Sequence, residues 1–328
     1  MVRFGLLGAG RIGKIHGRNI ARGEGSTLVA VADADAGAAK ALAKAYGAAV
    51  RSVDEVIAAK DIDAVLIGTP TDTHANLTER AVRAGKAVFC EKPVDLDAKR
   101  IEKCLKVVEA AKGTLMIGFN RRFDPNFAAL KARLDKKAVG SVEMVTIISR
   151  DPSPPPISYI QRSGGLYRDM MIHDFDLARF LLGEELIEVH AIGSSLVDAG
   201  IGEAGDVDTA MVIMRTASGK LCHISNSRRA TYGYDQRIEV HGSLGLLRAG
   251  NIHETTVEVA TKTGFNADPV LNFFLERYAD AYRLEIEAFV KAVSSGKQPA
   301  PSGYDGLMAQ RLADAATKAK ATGKPVRV

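Results

Sequence analysis

The chain has little of what would mark a membrane, disulfide-stapled or nucleic-acid-binding protein. In its 328 residues there is no uninterrupted apolar run of about eighteen, the length a bilayer-spanning helix needs. Its only cysteines, Cys90, Cys104 and Cys222, are odd in number and lack Cys-x-x-Cys spacing. Neither a disulfide framework nor a zinc site is therefore expected, and no metal is assigned. Lysines and arginines are scattered among acids, with no basic tract and no set of stacking aromatics, so a nucleic-acid-binding reading has no surface to rest on. The net charge of +5 is read as solubility with mild attraction for an anionic cofactor. No internal repeat is present, and the one biased stretch, Pro152-Ser153-Pro154-Pro155-Pro156, reads as a stiff loop. The first residues, Met1-Val2-Arg3-Phe4-Gly5-Leu6-Leu7-Gly8, are too short and glycine-punctuated for a secretory signal, and a cytoplasmic protein is expected.

What is present is ample apolar content, 46%, in a chain longer than one core usually serves, so two domains are expected. Up to about residue 120, the short apolar runs 3–7, 28–32, 64–68, 87–90 and 115–119 alternate with helical stretches at 14–21, 36–46, 73–84 and 95–111. That alternation predicts a parallel sheet covered on both faces. After Arg121-Arg122, strand-like runs at 142–148, 187–192, 207–214, 221–224 and 238–240 follow, with Ala217-Ser218-Gly219 supplying a turn. The expected fold class is α/β: a parallel-sheet domain at 1–120, then an α+β domain at 121–328 with a large, mostly antiparallel open sheet. Two late helices, about 270–294 and 306–321, are expected to cover one face of that second sheet.

Gly8-Ala9-Gly10-Arg11-Ile12-Gly13 is a Gly-x-Gly-x-x-Gly run between an expected strand and an expected helix, the setting of a Rossmann dinucleotide site. Gly8 permits the tight turn, Gly10 lets the backbone approach a pyrophosphate, and Gly13 allows helix and strand to pack closely. Asp33 ends the second apolar run where a ribose-binding acid is expected; it would repel a 2′-phosphate and so favours NAD over NADP. Arg11 beside the loop could help hold such a phosphate, but Asp33 followed by Ala34 outweighs it. Thr69-Pro70 with His74, and Glu91-Lys92-Pro93, follow further strands, at the edge where ligands of open α/β sheets bind.

A second constellation is the segment from Gly164-Gly165 to His173-Asp174-Phe175-Asp176. On one helix Asp169 and His173, four apart, would share a face with Asp176 three further on. The apolar residues around them imply burial, which an acid and an imidazole do not tolerate without a reason. Cys90, in an apolar strand, reads as packing, and His241 and His253 as structural.

Together these motifs resemble the glucose-fructose oxidoreductase and inositol dehydrogenase (Gfo/Idh/MocA) family over essentially the whole chain. Glu91-Lys92-Pro93 and the Gly-Gly to His-Asp stretch carry the resemblance most specifically. Ser149-Arg150-Asp151-Pro152, Asn226-Ser227-Arg228-Arg229 and Tyr232-Gly233-Tyr234-Asp235-Gln236-Arg237 look most like the inositol 2-dehydrogenases. His241 stands where relatives often carry an aromatic. The resemblance implies a catalytic set of Lys92, Asp169 and His173, a substrate contact at Asp176, and a C-terminal sheet that also builds a homotetramer.

The activity so implied is NAD-dependent oxidation of a ring hydroxyl of myo-inositol, or a related cyclic polyol, to the ketone (an inosose), a step of inositol catabolism. His173 would take the hydroxyl proton, Lys92 would hydrogen-bond the reacting oxygen, and Asp169 would hold the imidazole tautomer. Arg122, Asp151, Asp176 and Tyr232 are the expected polyol contacts. The alternatives are a dehydrogenase of another sugar or polyol within the family, and an NAD-binding sensor that has lost its chemistry.

Overall fold

A computed structural model describes residues 1–328 in full. The chain divides into two compact units, one of Met1–Phe123 with Ala281–Gln310, the other of Asp124–Asp280 with Arg311–Val328.

The first unit is a six-stranded sheet of β1 (Val2–Leu7), β2 (Ser26–Ala32), β3 (Ala49–Val50), β4 (Ala64–Ile67), β5 (Ala87–Cys90) and β6 (Leu115–Ile117). Its order is β3-β2-β1-β4-β5-β6, and every pairing is parallel. Strand order reverses between β1 and β4, which opens a crevice at the strands' carboxyl ends. Helices begin where the sequence offers caps: Asp35 accepts from Gly37 and Ala38, Ser52 and Glu55 form a capping box, and Asp97 accepts from Lys99. The β3 strand and the Val53–Ala58 helix are too short to raise a periodic signal and escape a sequence reading.

The late helix Ala279–Ser294 corrects one expectation. Its Ile286, Phe289 and Val290 enter the core of the parallel-sheet unit beside Phe4, Leu6, Phe89 and Met116, with Phe289 edge-on to Phe89. The apolar stripe is legible, but periodicity carries no information about which sheet it covers.

The second unit is built on a seven-stranded sheet of β7 (Val142–Arg150), β8 (Leu186–Ser194), β9 (Thr209–Thr216), β10 (Leu221–Ser227), β11 (Asp235–Gly242), β12 (Gly245–Ala249) and β15 (Val326–Arg327). A separate hairpin pairs β13 (Glu258–Thr261) with β14 (Gly264–Ala267). The large sheet runs β12-β11-β7-β10-β9-β8-β15 and is antiparallel except for the β7–β10 pair. Its alternation is clean in β9, where Ala210, Val212 and Met214 are buried while Met211, Ile213 and Arg215 are exposed. The helix Ile172–Leu182, nearly all buried, packs against β7. No helix of either unit is long and apolar enough to cross a membrane.

Candidate functional site

In the first unit every residue singled out for a cofactor lies on the turns that follow β1, β2, β4 and β5 or in the first turns of the helices those turns open, Arg11, Ile12 and Gly13 in Arg11–Arg22 and His74 in Thr71–Arg83. Gly8 adopts φ +101°, and a Cβ there would stand 2.5 Å from the Gly68 carbonyl oxygen, so the turns after β1 and β4 touch only because Gly8 has no side chain. A Cβ on Gly13 would sit 1.9 Å from the Gly8 oxygen, which fixes the helix against the strand. Above Gly10, by contrast, a Cβ would meet nothing within 4 Å. Gly10 caps the helix Arg11–Arg22 with no side chain accepting from its first N–H groups. Open space over uncapped N–H groups is what a pyrophosphate requires. Arg11 is exposed and Ile12 half-buried on the first turn.

Asp33 is held in place: its carboxylate accepts from Ala9 N–H at 2.5 Å and from Asp35 N–H at 2.7 Å. The acid therefore abuts the glycine loop, where it can accept from ribose hydroxyls. His74 is buried and bridges two of the expected turns, with Nε2 2.8 Å from the Thr69 carbonyl and Nδ1 2.8 Å from the Pro93 carbonyl. Either neutral tautomer satisfies one of these acceptors and the imidazolium both. Its role is to tie the Thr69-Pro70 turn to the Lys92-Pro93 turn. Thr69 is further fixed by a 2.6 Å bond between its hydroxyl and that of Thr73.

Lys92 is half-buried on the turn leaving β5. Its neighbour Glu91, expected among the cofactor contacts, is turned inward: its carboxylate lies 2.6 Å from Nε2 of the fully buried His16. With Glu285 these residues bring three potential ligand atoms within 4.8 Å of one another. Arg122 is also committed elsewhere, its guanidinium pairing with Asp305 at 2.9 Å while Asp305 caps Ser302. Arg122 is thus engaged in packing the first unit. The thiols are buried and uncharged, burial pushing Cys104 up to about 12 and Cys90 and Cys222 higher.

In the second unit the single helix expected through Asp169 and His173 is two helices, Leu166–Asp169 and Ile172–Leu182, joined by Met170-Met171. Gly164 and Gly165, both at φ +85°, set up the entry, and the Leu166 N–H donates to Asp206. Asp169 closes the first helix, and its Oδ1 accepts from the Tyr159 hydroxyl at 2.9 Å. Its Oδ2 lies 3.5 Å from Nη2 of Arg228, a guanidinium only 2% exposed. His173 opens the second helix and is half-buried. Beside it Asp174 accepts from Asn226 Nδ2 at 2.8 Å, which pins this helix to the carboxyl end of the parallel β7–β10 pair. Asp151 continues that end, its N–H bonding the Ser227 carbonyl, and Asp176 is buried in the same helix.

Tyr232 is placed differently from the expectation. Side chains alternate along β10, so Asn226 faces the helix while Ser227 and its register partner Arg150 face away. The Tyr232 hydroxyl accepts from Arg150 and donates to Asp235 at 2.6 Å, on the sheet's open face. It therefore does not join Asp169 and His173. Burial opposes ionisation of Asp235, but bonds from Arg237, Tyr232 and Asn251 outweigh it and hold the carboxyl below its usual range. Tyr232 lines a cavity of about 370 Å³ with Arg150, Ser227 and Arg229. A larger one, about 730 Å³, lies between the helix Pro125–Asp135 and the hairpin and contains none of the expected site residues.

Sequence reasoning missed Arg228, Tyr159 and His16 as partners of the chosen residues. Arg228 stands within a stretch already singled out, and His16 follows Gly13 by one helical turn on the buried face; neither partner is local.

Comparison with known proteins fits this geometry. Residues 2–119 match the oxidoreductase family with the NAD-binding Rossmann fold, and residues 127–248 match the GFO/IDH/MocA C-terminal domain. The chain is 58% identical over 327 residues to an inositol 2-dehydrogenase of Rhizobium meliloti (strain 1021), covering 100% of this chain and 99% of that one. It is 45% identical to a myo-inositol 2-dehydrogenase of Thermotoga maritima (strain ATCC 43589), with 100% and 98% covered. A crystal structure of scyllo-inositol dehydrogenase from Lactobacillus casei with bound NAD(H) and scyllo-inositol superposes with a TM-score of 0.93 at 30% identity, covering 100% of this chain and 99% of that one.

Proposed function

The chain belongs to the GFO/IDH/MocA oxidoreductase family, and from that premise we propose that it is an NAD-dependent dehydrogenase that oxidises a ring hydroxyl of myo-inositol to the ketone. The observation that carries the reading is the end-to-end match to inositol 2-dehydrogenases at up to 58% identity. The glycine loop with open space above Gly10 and Asp33 bound to Ala9 N–H supports NAD as cofactor. When bound, NAD supplies the hydride acceptor.

The remaining chemistry falls to the chain's own side chains. His173 removes the hydroxyl proton as general base. Asp169, restrained by Tyr159 and Arg228, orients the imidazole and compensates the charge it gains. Lys92 hydrogen-bonds the reacting oxygen and stabilises the negative charge that builds on it. Asp151 and Asp176 are the acceptors proposed for other ring hydroxyls, since a polyol is recognised by fixed polar groups rather than by an apolar slot.

The test is NADH formation from myo-inositol, scyllo-inositol, glucose and xylose, each with NAD and with NADP. Turnover of an inositol with NAD, weak with NADP because Asp33 repels the 2′-phosphate, is expected. Turnover confined to glucose or xylose would remove the inositol assignment and leave the family chemistry.

We further propose a cytoplasmic homotetramer. On the second unit's sheet, Met144, Ile192, Met211, Ile213 and Leu221 are all exposed, and Ile192 pairs with Met211 and Leu221 with Met144 across the strands. An uncovered apolar sheet face of this extent favours burial against another copy. Light scattering is expected to return four times the 35.0 kDa chain mass, and Ile213→Lys is expected to lower it. An unchanged mass in that variant would place the interface elsewhere.

A further inference from the structure

We propose that Glu285 is a positioning residue for the dehydrogenase reaction, holding the Lys92-bearing turn and the glycine-loop helix in one arrangement through Glu91 and His16. This rests on the function proposed above. Glu285 projects from the helix Ala279–Ser294 and is 0% exposed, and neither of its carboxyl oxygens has a hydrogen-bond partner. Yet it lies within 4.8 Å of both a His16 ring nitrogen and the Glu91 carboxylate. The three side chains come from three separate elements: His16 from the helix that Gly10 caps, Glu91 from the residue before Lys92, and Glu285 from the late helix. Phe89 and Tyr282 flank the cluster, their rings edge-on to His16 at 5.2 and 5.7 Å.

Two carboxylates this close in an apolar surround do not both ionise. Glu91 already pairs with His16, so Glu285 is the member that keeps its proton: burial pushes it well above the usual carboxylate range, and the Glu91 charge adds to the shift. A neutral carboxyl completes the cluster without adding a second buried charge, and it offers Glu91 a donor through one bridging water. The consequence lies one residue away, because any drift of Glu91 moves the Lys92 backbone. It also moves the helix on which the dinucleotide sits. The functional assignment uses neither His16 nor Glu285, so their burial as polar groups is otherwise unexplained.

The experiment compares wild type, Glu285→Gln and Glu285→Leu. Glutamine mimics the neutral acid, and its kcat is expected within about threefold of wild type, whereas leucine, which cannot donate, is expected to lose roughly 10- to 100-fold in kcat with little change in the polyol KM. A folded leucine variant as fast as the glutamine one would reduce Glu285 to packing. A glutamine variant as slow as leucine would mean that the negative charge is required, as a bound cation would demand, and either result overturns the proposal.

Thermal stability against pH gives a second readout, which decides the matter if the leucine variant does not fold. A carboxyl whose folded pKa is raised binds more protons in the folded state, so its contribution is full below the ordinary value of about 4.5 and is lost as pH rises above it. Wild type is therefore expected to lose Tm relative to Glu285→Gln as pH increases from there, and parallel curves would sink the idea. Wild type inactive on every polyol would be a failure of the proposed function instead. NAD affinity of the three proteins then reads the helix arrangement alone, with leucine expected to be weakest and equal affinities counting against the proposal.

Discussion

Replacing His173 with Ala is expected to lower kcat for inositol oxidation by about 10²- to 10⁴-fold, the range lost when a positioned general base is removed. NAD affinity should be unchanged, because His173 belongs to the second unit while the glycine loop and Asp33 belong to the first. Lys92→Ala is expected to fall in a similar range, since it removes the donor to the oxygen on which charge develops. If both act in one proton-transfer step, the double variant should be little slower than the worse single one, because groups that act as a unit are not additive. Steady-state kinetics with a direct NAD-binding titration separates these effects. A His173→Ala enzyme within tenfold of wild type would remove His173 as the base.

The largest stability effect is expected at Arg277. Its guanidinium pairs with Asp124, and the two side chains are 0% and 1% exposed. Asp124 also caps the helix Pro125–Asp135 by accepting from Asn126 and Phe127 N–H. The cation additionally stacks near the Phe127 and Tyr278 rings, at 5.3 and 4.8 Å. Arg277→Met leaves an uncompensated buried carboxylate and is expected to cost about 3–5 kcal/mol, a Tm loss on the order of 10 °C. Adding Asp124→Asn removes the stranded charge while keeping an oxygen for the cap, so the double variant should recover part of that loss. Calorimetry on the three variants checks it; no recovery would mean that packing of the guanidinium, rather than the stranded charge, sets the cost.

Much of the cofactor end was legible because its determinants are local. Gly8, Gly10 and Gly13 fall within six consecutive positions and their backbone demands are steric, and Asp33 follows from the length of one strand–helix–strand passage. The helix expected at 36–46 is Ala36–Tyr46, fixed at one end by Asp35 and at the other by Gly47 in the left-handed region. Side-chain commitments were not legible in the same way. Arg122 and Tyr232 read as polar groups available to a polyol, and each has a partner from another segment, one Asp305 and the other Arg150. Asp169 read as sharing a helix face with His173, and its restraints, Tyr159 and Arg228, come from other segments.

The sequence by itself determined the longer strands of the two sheets, the class of each sheet and the chemical types at the site, because strand alternation, helical stripes and glycine turns are properties of neighbouring residues; the short β3, β12 and β15 left no such signal. Tertiary structure alone decided that Ala281–Gln310 belongs with the first unit, that β7 and β10 run parallel, and that His16, Glu91 and Glu285 share one buried space. The physical reason is that burial and pairing depend on which surfaces meet. An apolar stripe or a carboxylate far along the chain carries the need for a partner but not the partner's identity.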